Sequence, residues 1–168
     1  MNETSSPFRA TYATGILSRI NLSALANAQW PARLELLAID GGRRVLMDAA
    51  HNPEGARALA AYLRRWHPER PPLVLGVMRD KNVSEIIRTL LPHVSRVIAT
   101  AAPTPRARPA EELASYLRDA GAADVIVEPD AARAIERALE RASTVCVAGS
   151  IFLVGAVRDG LMRRAILR

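Results

Sequence analysis

Short apolar runs recur along this chain between segments with helical periodicity. The strands that these runs predict occupy residues 73–77, 96–99, 124–127 and 144–148. A strand that is apolar along its whole length needs cover on both faces, and a parallel sheet with helices on each side supplies that cover. The alternation of strand and helix therefore predicts an α/β fold with a doubly wound, mostly parallel sheet.

A hairpin precedes the alternating segments. Residues 34–39 and 43–48 are predicted strands, and Asp40-Gly41-Gly42 separates them. An Asp-Gly pair between two apolar runs is a strong hairpin signal. The sheet should therefore have about six strands, one of them antiparallel, with helices on both faces.

Helix start signals follow most of the predicted strands. The expected starts are Asn52, Asn82, Pro109 and Asp130, with a final helix over residues 152–168. Asn and Asp side chains cap helices because their oxygens accept from the free amides of the first turn. In the helix predicted over 53–66, the spacing of Leu59, Leu63 and Trp66 predicts one buried face.

The composition indicates a single folded domain. Hydrophobic residues make up 49% of the 168 residues, which is enough to build a core. No apolar run approaches the roughly 20 residues of a membrane span, so we expect a cytoplasmic protein without a membrane partner. Residues 1–29 are predicted to be an arm or interdomain linker, and residues 30–168 the domain. The single cysteine, Cys146, excludes an internal disulfide, and no metal-ligand spacing is present.

The positive charge of the chain has three open interpretations. There are 23 basic and 17 acidic residues, and Lys81 is the only lysine. The arginines could reflect biased codon usage, nucleic-acid binding or contacts with the phosphates of a small ligand. Because they are scattered and lack an aromatic platform, we expect no nucleic-acid partner.

Polar residues follow the point where the second predicted strand ends. In a doubly wound sheet, ligands bind outside the carboxyl ends of the strands. Asp48 ends the strand, His51 lies in the next turn, and Asn52 begins a helix whose first amides can bind an anion. Asp48 could bind sugar hydroxyls or a metal-bound water, or only cap its turn. His51 could donate to a phosphate or carry a proton, or be merely solvated.

Two further loops reach the same predicted edge with charged residues. Asp80 and Lys81 could neutralise a phosphate or a carboxylate, or form a solvated salt bridge. Arg106 and Arg108 lie between prolines, and each could offer a guanidinium fork to an anion or be solvated. These alternatives stay open from the residues alone.

The loop after residues 144–148 contains Gly149 and Ser150. Gly149 would let a ligand approach the backbone, and Ser150 could cap a helix or bind an anion. The chain contains no Gly-x-x-x-x-Gly-Lys-Ser/Thr phosphate loop and no Gly-x-Gly-x-x-Gly fingerprint. The residues therefore indicate half of a ligand site, without the groups that would drive a reaction.

Five motifs occur in a definite order along the chain. They are Trp30-Pro31-Ala32-Arg33-Leu34-Glu35, Asp48-Ala49-Ala50-His51-Asn52-Pro53, Gly76-Val77-Met78-Arg79-Asp80-Lys81, Pro105-Arg106-Ala107 and Gly149-Ser150-Ile151-Phe152. In this order they resemble the C-terminal domain of folylpolyglutamate synthase and dihydrofolate synthase, in the Mur ligase superfamily. The likeness covers about residues 15–168, and the first two motifs together make it specific.

The resemblance implies a Rossmann-like domain and an ATP-dependent ligase. In the family, a pteroate or folate carboxylate becomes an acyl phosphate, and the amine of L-glutamate displaces the phosphate. The implied cofactors are ATP and Mg²⁺, with the Mg²⁺ ligands expected mainly from a P-loop ATPase domain. That domain would act with this chain in cis or in trans.

The resemblance also implies roles for single residues. Arg33 would reach the ATP phosphates and, with His51, take part in catalysis. Asp48 would lie by the ribose, with Asn52 also at the nucleotide. The residues expected to contact the substrate side are Asp80, Lys81, Arg106, Gly149 and Ser150.

Two positions depart from the family pattern. Ala32 and Ala49 stand where the family has glycine, and the loop at Ala49 must shift if that glycine has positive φ.

Our first hypothesis is the C-terminal half of a folate-type glutamate ligase, which should be inactive without its ATPase domain. The alternative is a non-catalytic module that binds a nucleotide or another anion.

Overall fold

The computed structural model describes residues 33–166, except for the side chains of residue 40 and residues 163–166. The predicted arm over residues 1–29 lies outside the described residues. So do residues 30–32, which begin the first motif and include the glycine replacement at Ala32.

Six strands form one sheet. They are β1 (Glu35–Ile39), β2 (Arg43–Asp48), β3 (Leu73–Leu75), β4 (Val97–Ala99), β5 (Val125–Val127) and β6 (Thr144–Ala148). Their order across the sheet is β1-β2-β6-β3-β4-β5. β1 pairs antiparallel with β2, and every other pairing is parallel. The predicted doubly wound sheet with one antiparallel strand is confirmed.

Five α-helices cover the two faces of this sheet. They are α1 (Pro53–Trp66), α2 (Val83–Leu90), α3 (Ala110–Asp119), α4 (Ala131–Leu139) and α5 (Ile151–Ile166). The buried residues of α1, α2 and α3 share one apolar cluster, and those of α4 and α5 share the other. The third predicted strand, over 73–77, is shorter than expected and ends at residue 75.

Successive strand residues point into opposite cores. In β2, Leu46 packs with Cys146 beneath α1–α3, whereas Met47 packs with Val147 beneath α4 and α5. All four side chains are fully buried. This period of two explains why the strands are apolar throughout. Burial raises the pKa of the Cys146 thiol, so the cysteine is an unreactive part of the core.

Side-chain caps fix the starts of three helices. The Oδ1 atoms of Asn52, Asn82 and Asp130 accept from backbone amides three residues later, at 2.8, 3.3 and 2.8 Å. Each satisfies one amide that has no partner within the helix. These predicted caps place the loop-to-helix junctions of the sheet.

The predicted buried face of α1 is wrong at its last position. Leu59 and Leu63 are buried, but Trp66 is 42% exposed. His67, just past the helix, fills the buried position at this end, with its ring centroid 5.6 Å from that of Tyr62. The indole of Trp66 is instead covered by the Arg65 guanidinium at 5.1 Å.

Within residues 33–166, we find no helix with the length and apolar character needed to cross a bilayer.

Candidate functional site

The carboxyl ends of neighbouring strands meet at one edge of the sheet. Asp48 at the end of β2 is in register with Ala148 of β6, which is also in register with Leu75 of β3. Because β1 is antiparallel, its first residue, Glu35, lies opposite Met47 at this same edge. The residues just before β1 and just after β2 are therefore brought together.

A crevice is expected between β2 and β6. The chain leaves β2 toward α1 on one face of the sheet and leaves β6 toward α5 on the other. Connections that diverge in this way open a space at the strand ends, where doubly wound folds bind ligands. Asp48 ends β2 and Gly149 directly follows β6, so they would lie on the two sides of that space.

Asp48 accepts two backbone hydrogen bonds across this junction. Its Oδ2 accepts from the Leu34 amide at 3.0 Å, and its Oδ1 accepts from the Ala50 amide at 2.9 Å. Burial raises the pKa of Asp48, while these two bonds and the charges of Arg33 and His51 lower it. The carboxylate is thus tied to the segment before β1 and to the turn before α1.

Arg33 and His51 both lie within electrostatic range of Asp48. Arg33 is exposed and His51 is half-buried. Both charges act on the Asp48 carboxylate. The structure therefore assembles three of the predicted site residues around the end of β2, although 15 positions of sequence separate Arg33 from Asp48.

The turn from β2 into α1 is closely packed. Asn52 caps the helix through Gly55, and a Cβ at Gly55 would lie 3.0 Å from the Ala50 Cα. Among the described non-glycine residues, only Leu34 and Arg70 have positive φ. Ala49 therefore carries no left-handed strain in this turn, and whether the loop differs from that of the family stays a prediction.

Asp80, Lys81 and Arg106 form a second group. Asp80 Oδ2 lies 3.3 Å from Lys81 Nζ and 3.3 Å from Arg106 Nη2. The Arg79 amide donates to the Arg106 carbonyl at 3.0 Å, which joins the loops after β3 and β4. The backbone amide of Asp80 itself, followed by Lys81 and Arg106, lowers the pKa of the Asp80 carboxyl. No hydrogen bond or ion pair between described residues links this group to Asp48.

Arg108 is a structural residue rather than a solvated one. It is buried, forms an ion pair with Glu112, and donates to the Arg79 carbonyl at 2.9 Å. Its guanidinium also lies 5.0 Å from the Tyr116 ring centroid. The sequence does not distinguish Arg108 from Arg106, because both stand next to prolines or alanines in the same loop.

Gly149 and Ser150 have clear packing roles. Gly149 has φ of +103°, and a Cβ there would lie 2.6 Å from the Gly76 carbonyl oxygen. Ser150 is buried, and its Oγ accepts from the Phe152 and Leu153 amides at 3.1 and 3.4 Å. The structure thus supports the capping interpretation of Ser150, and the substrate contact of both residues stays a prediction.

Two features near Arg33 were missed from the sequence. Leu34 has φ of +48°, which no local signal predicts for a leucine. Arg158 of α5 donates through Nε to both Glu35 carboxylate oxygens, at 3.0 and 3.1 Å. A separation of 123 residues left no pattern by which this pair could be found.

The part of the chain that the structure describes has no group of three or more His, Cys, Asp or Glu side chains placed to hold a metal ion. The residues present at this edge are instead cations, backbone amides and single carboxylates. That donor set suits anions.

The family described as "Mur ligase, glutamate ligase domain" matches residues 32–151. Probable bifunctional folylpolyglutamate synthase/dihydropteroate synthases are similar. The protein of Haloferax volcanii is 31% identical over 84% of this chain and 17% of its own length. That of Halobacterium salinarum is 34% identical over 80% of this chain and 16% of its own length.

Solved structures of similar proteins share the fold. Mycobacterium tuberculosis folylpolyglutamate synthase, complexed with ADP and AMPPCP, has a TM-score of 0.74 and 30% identity, covering 85% of this chain and 36% of that one. E. coli FolC, in complex with DHPP and ADP, has a TM-score of 0.73 and 26% identity, covering 84% and 33%.

The chain thus spans about a sixth of the two archaeal relatives and about a third of the solved enzymes. The match covers β1 to the start of α5, and it includes Asp48 and the loops at the carboxyl edge. The chain belongs to the Mur ligase family as its C-terminal glutamate ligase domain, in the form found in folylpolyglutamate and dihydrofolate synthases.

Proposed function

We propose that this chain is the nucleotide- and glutamate-contacting part of an ATP-dependent ligase that adds L-glutamate to dihydropteroate or folate. One observation carries the proposal: the antiparallel β1–β2 pair brings Arg33 next to Asp48 at the carboxyl edge, beside the start of α1. Similar folylpolyglutamate synthase structures with 25–30% identity contain ADP, AMPPCP or AMPPNP, which supports a nucleotide as the ligand.

The residues at the end of β2 fit the phosphates of ATP. Arg33 presents an exposed guanidinium, and the first turn of α1 presents the Glu54 amide, since Pro53 has no N–H and Asn52 accepts from the Gly55 amide. His51 adds a donor that is positively charged when protonated. ATP would supply the phosphoryl group that converts the folate carboxylate to an acyl phosphate. Arg33 would hold that phosphate and offset the negative charge that develops during transfer.

Asp48 and Asn52 would lie on the nucleoside side of the same crevice. Two backbone amides occupy about half of the acceptor positions of the Asp48 carboxylate, which leaves capacity for a ribose hydroxyl. The Asn52 Oδ1 atom accepts from the Gly55 amide, so this residue would act mainly by fixing the start of α1 beside the nucleotide. We assign no step to Mg²⁺ on this chain, because the Mg²⁺ ligands are expected mainly from the P-loop ATPase domain.

The glutamate would bind at the loops after β3, β4 and β6. Lys81 and Arg106 share one partner, Asp80, and an incoming carboxylate could compete with it for either cation. Gly149 lies against the Gly76 carbonyl in the loop after β6, and Ser150 caps the start of α5. The glutamate amine would then displace phosphate from the acyl phosphate.

A P-loop ATPase domain, in cis or in trans, is part of this proposal. The 168 residues contain no phosphate-loop motif. The same observation favours the second candidate, a module that binds a nucleotide or another anion without catalysing ligation. The two candidates differ in what happens when an ATPase domain is added.

Calorimetric titration of the chain with ATP tests the nucleotide site. We expect binding, and Arg33→Ala should weaken it by about 10–100-fold, because a charge-assisted hydrogen bond contributes about 1.5–3 kcal/mol. Arg57→Ala is the matched control, since Arg57 is also exposed and its guanidinium pairs with Glu85 at 2.9 Å on the α1 surface. Equal effects of the two substitutions would contradict the role of Arg33.

Ligation in trans separates the two candidates. The chain would be mixed with the P-loop domain of a solved folylpolyglutamate synthase, ATP, Mg²⁺, L-glutamate and dihydropteroate or folate. Glutamate addition that depends on both domains supports the ligase. ATP binding without any glutamate addition supports the module, and robust ligation by the chain alone would overturn the proposed division of labour.

A further inference from the structure

The segment that carries Arg33 has an unusual backbone. Leu34 follows it directly and has φ of +48°, in the left-handed region that residues other than glycine rarely adopt. Such a conformation persists only where surrounding contacts hold it in place. Since Leu34 joins Arg33 to the first residue of β1, those contacts also determine where Arg33 lies.

The first contact comes from Asp48. Its Oδ2 accepts the Leu34 amide at 3.0 Å, and its Oδ1 accepts the Ala50 amide at 2.9 Å. One carboxylate thus joins the strained residue to the turn that leads into α1. Burial of this carboxylate strengthens both bonds, because the local dielectric is low.

The second contact comes from α5. Arg158 donates through one Nε to both carboxylate oxygens of Glu35, at 3.0 and 3.1 Å. The side chains are only 32% and 19% exposed, so this pair is less screened than a surface salt bridge. Glu35 is the residue after Leu34, and the strained position therefore has an anchor on its own amide and another on its neighbour.

α5 also links the two halves of the proposed site. It begins at Ile151, directly after Ser150, and Arg158 lies about two turns further along. The helix that starts at the loop expected to face glutamate therefore also holds the strand that follows Arg33. A displacement of the start of α5 would therefore also move Arg158.

We propose that Arg158 is a positioning residue, which acts with Asp48 to hold Arg33 at the nucleotide. Asp48 fixes Leu34 through its amide, and Arg158 fixes Glu35 through its carboxylate. The inference rests on the proposed function only in taking Arg33 as the phosphate contact. The two anchors themselves are properties of the fold, and they can be tested without a ligand.

The ligand-free test is amide hydrogen exchange at Leu34, followed by NMR on the full chain. Arg158→Ala should speed exchange at Leu34, and Arg158→Lys should restore part of the protection because it keeps the charge. Arg96→Ala is the matched control, and it should leave exchange at Leu34 unchanged. The Arg96 Nε atom donates to Asp124 at 2.9 Å and joins the start of β4 to the start of β5. Unchanged exchange at Leu34 in Arg158→Ala would overturn the proposal.

The ligand-dependent test is a double-mutant cycle on ATP affinity. Arg158→Ala should weaken binding about tenfold, at the lower end of the loss expected for Arg33→Ala, because it displaces the guanidinium of Arg33 without removing it. In the Arg33→Ala background, Arg158→Ala should have almost no further effect, because its influence passes through Arg33. A merely destabilising substitution would weaken binding equally in both backgrounds.

The outcomes separate this inference from the proposed function. If the unmodified chain binds no ATP, the nucleotide site fails, while exchange at Leu34 still decides whether the two anchors exist. The other result is that ATP binds and Arg33→Ala weakens that binding, while Arg158→Ala lowers the ATP affinity equally with and without Arg33→Ala. That result would support the proposed function and contradict the positioning role of Arg158.

Discussion

Two charged groups lie at the same edge of the sheet, and they are built differently. Around Asp48, a half-buried carboxylate accepts backbone amides from two separate segments. Around Asp80, the carboxylate is about half-exposed, its ion-pair partners are Lys81 and Arg106 at 3.3 Å each, and its backbone partner is its own amide. The first group joins two separate segments of backbone, whereas the second depends mainly on ion pairs between partly exposed side chains.

The difference indicates which group is preorganised. Backbone hydrogen bonds to a buried acceptor leave little freedom, and their loss exposes unsatisfied amides. Exposed ion pairs contribute only about 0–1 kcal/mol and weaken in salt. We therefore expect the Asp48 group to hold a ligand in a fixed place, and the Asp80 group to exchange its internal pairs for contacts with a ligand.

The largest effect should come from the packed side of the edge, at Gly149. Gly149→Ala places a methyl group 2.6 Å from the Gly76 carbonyl oxygen at a φ of +103°. Left-handed strain and overpacking each cost about 1–3 kcal/mol, so the free energy of unfolding should fall by about 2–6 kcal/mol. Denaturant titration measures this change.

Gly155→Ala is the control for that substitution. Gly155 lies inside α5, and nothing lies within 4 Å of a Cβ placed there. Alanine should therefore stabilise the helix by about 0.5–1 kcal/mol. A loss of stability similar to that of Gly149→Ala would show that tight packing extends along the helix rather than being confined to the strand ends.

The next effect is the pH dependence of stability, which should have opposite signs at the two carboxylates. Burial raises the pKa of Asp48, so its contribution is present at low pH and is lost as pH rises through the folded-state pKa. The pKa of Asp80 is lowered by the backbone amide of Asp80, with Lys81 and Arg106. The contribution of Asp80 to stability is therefore present above pH 3.8 and is lost as pH falls.

Unfolding free energies of Asp48→Asn and Asp80→Asn, each compared with the unmodified chain across acidic pH, measure these slopes. As pH rises, the free energy of unfolding of the unmodified chain should fall relative to that of Asp48→Asn. Over the same range, it should rise relative to that of Asp80→Asn. Slopes of the same sign would show that burial does not dominate at Asp48.

The smallest effect is expected at Arg106. Arg106→Ala should change the free energy of unfolding by less than about 0.5 kcal/mol, because its side chain is 66% exposed. Arg108→Ala, two positions along, should cost on the order of 2 kcal/mol through lost bonds to Glu112 and the Arg79 carbonyl. Added salt should abolish the effect of Arg106→Ala and leave most of the effect of Arg108→Ala. Similar losses of unfolding free energy for the two substitutions would contradict the difference between the exposed and the buried arginine.

Local rules were sufficient for the elements of this fold. Period-two and period-3.6 apolar patterns, the Asp-Gly turn and the capping residues depend on neighbours in sequence, and they placed all six strands and five helices. They failed at Trp66, where periodicity ran to the end of the helix, and His67 took the buried position instead. Side-chain competition at a helix end depends on what packs there, which no local pattern contains.

The amino-acid sequence by itself determined the doubly wound sheet and the polar residues at its carboxyl edge. These features depend on the periodicity and the end signals of each strand and helix, which lie in residues that are close in sequence. Only the tertiary structure decided that Leu34 is left-handed, that Arg108 is buried while Arg106 is exposed, and that Arg158 reaches Glu35. These are contacts between segments up to 123 residues apart. Their geometry comes from how the layers pack, and not from the properties of any one segment.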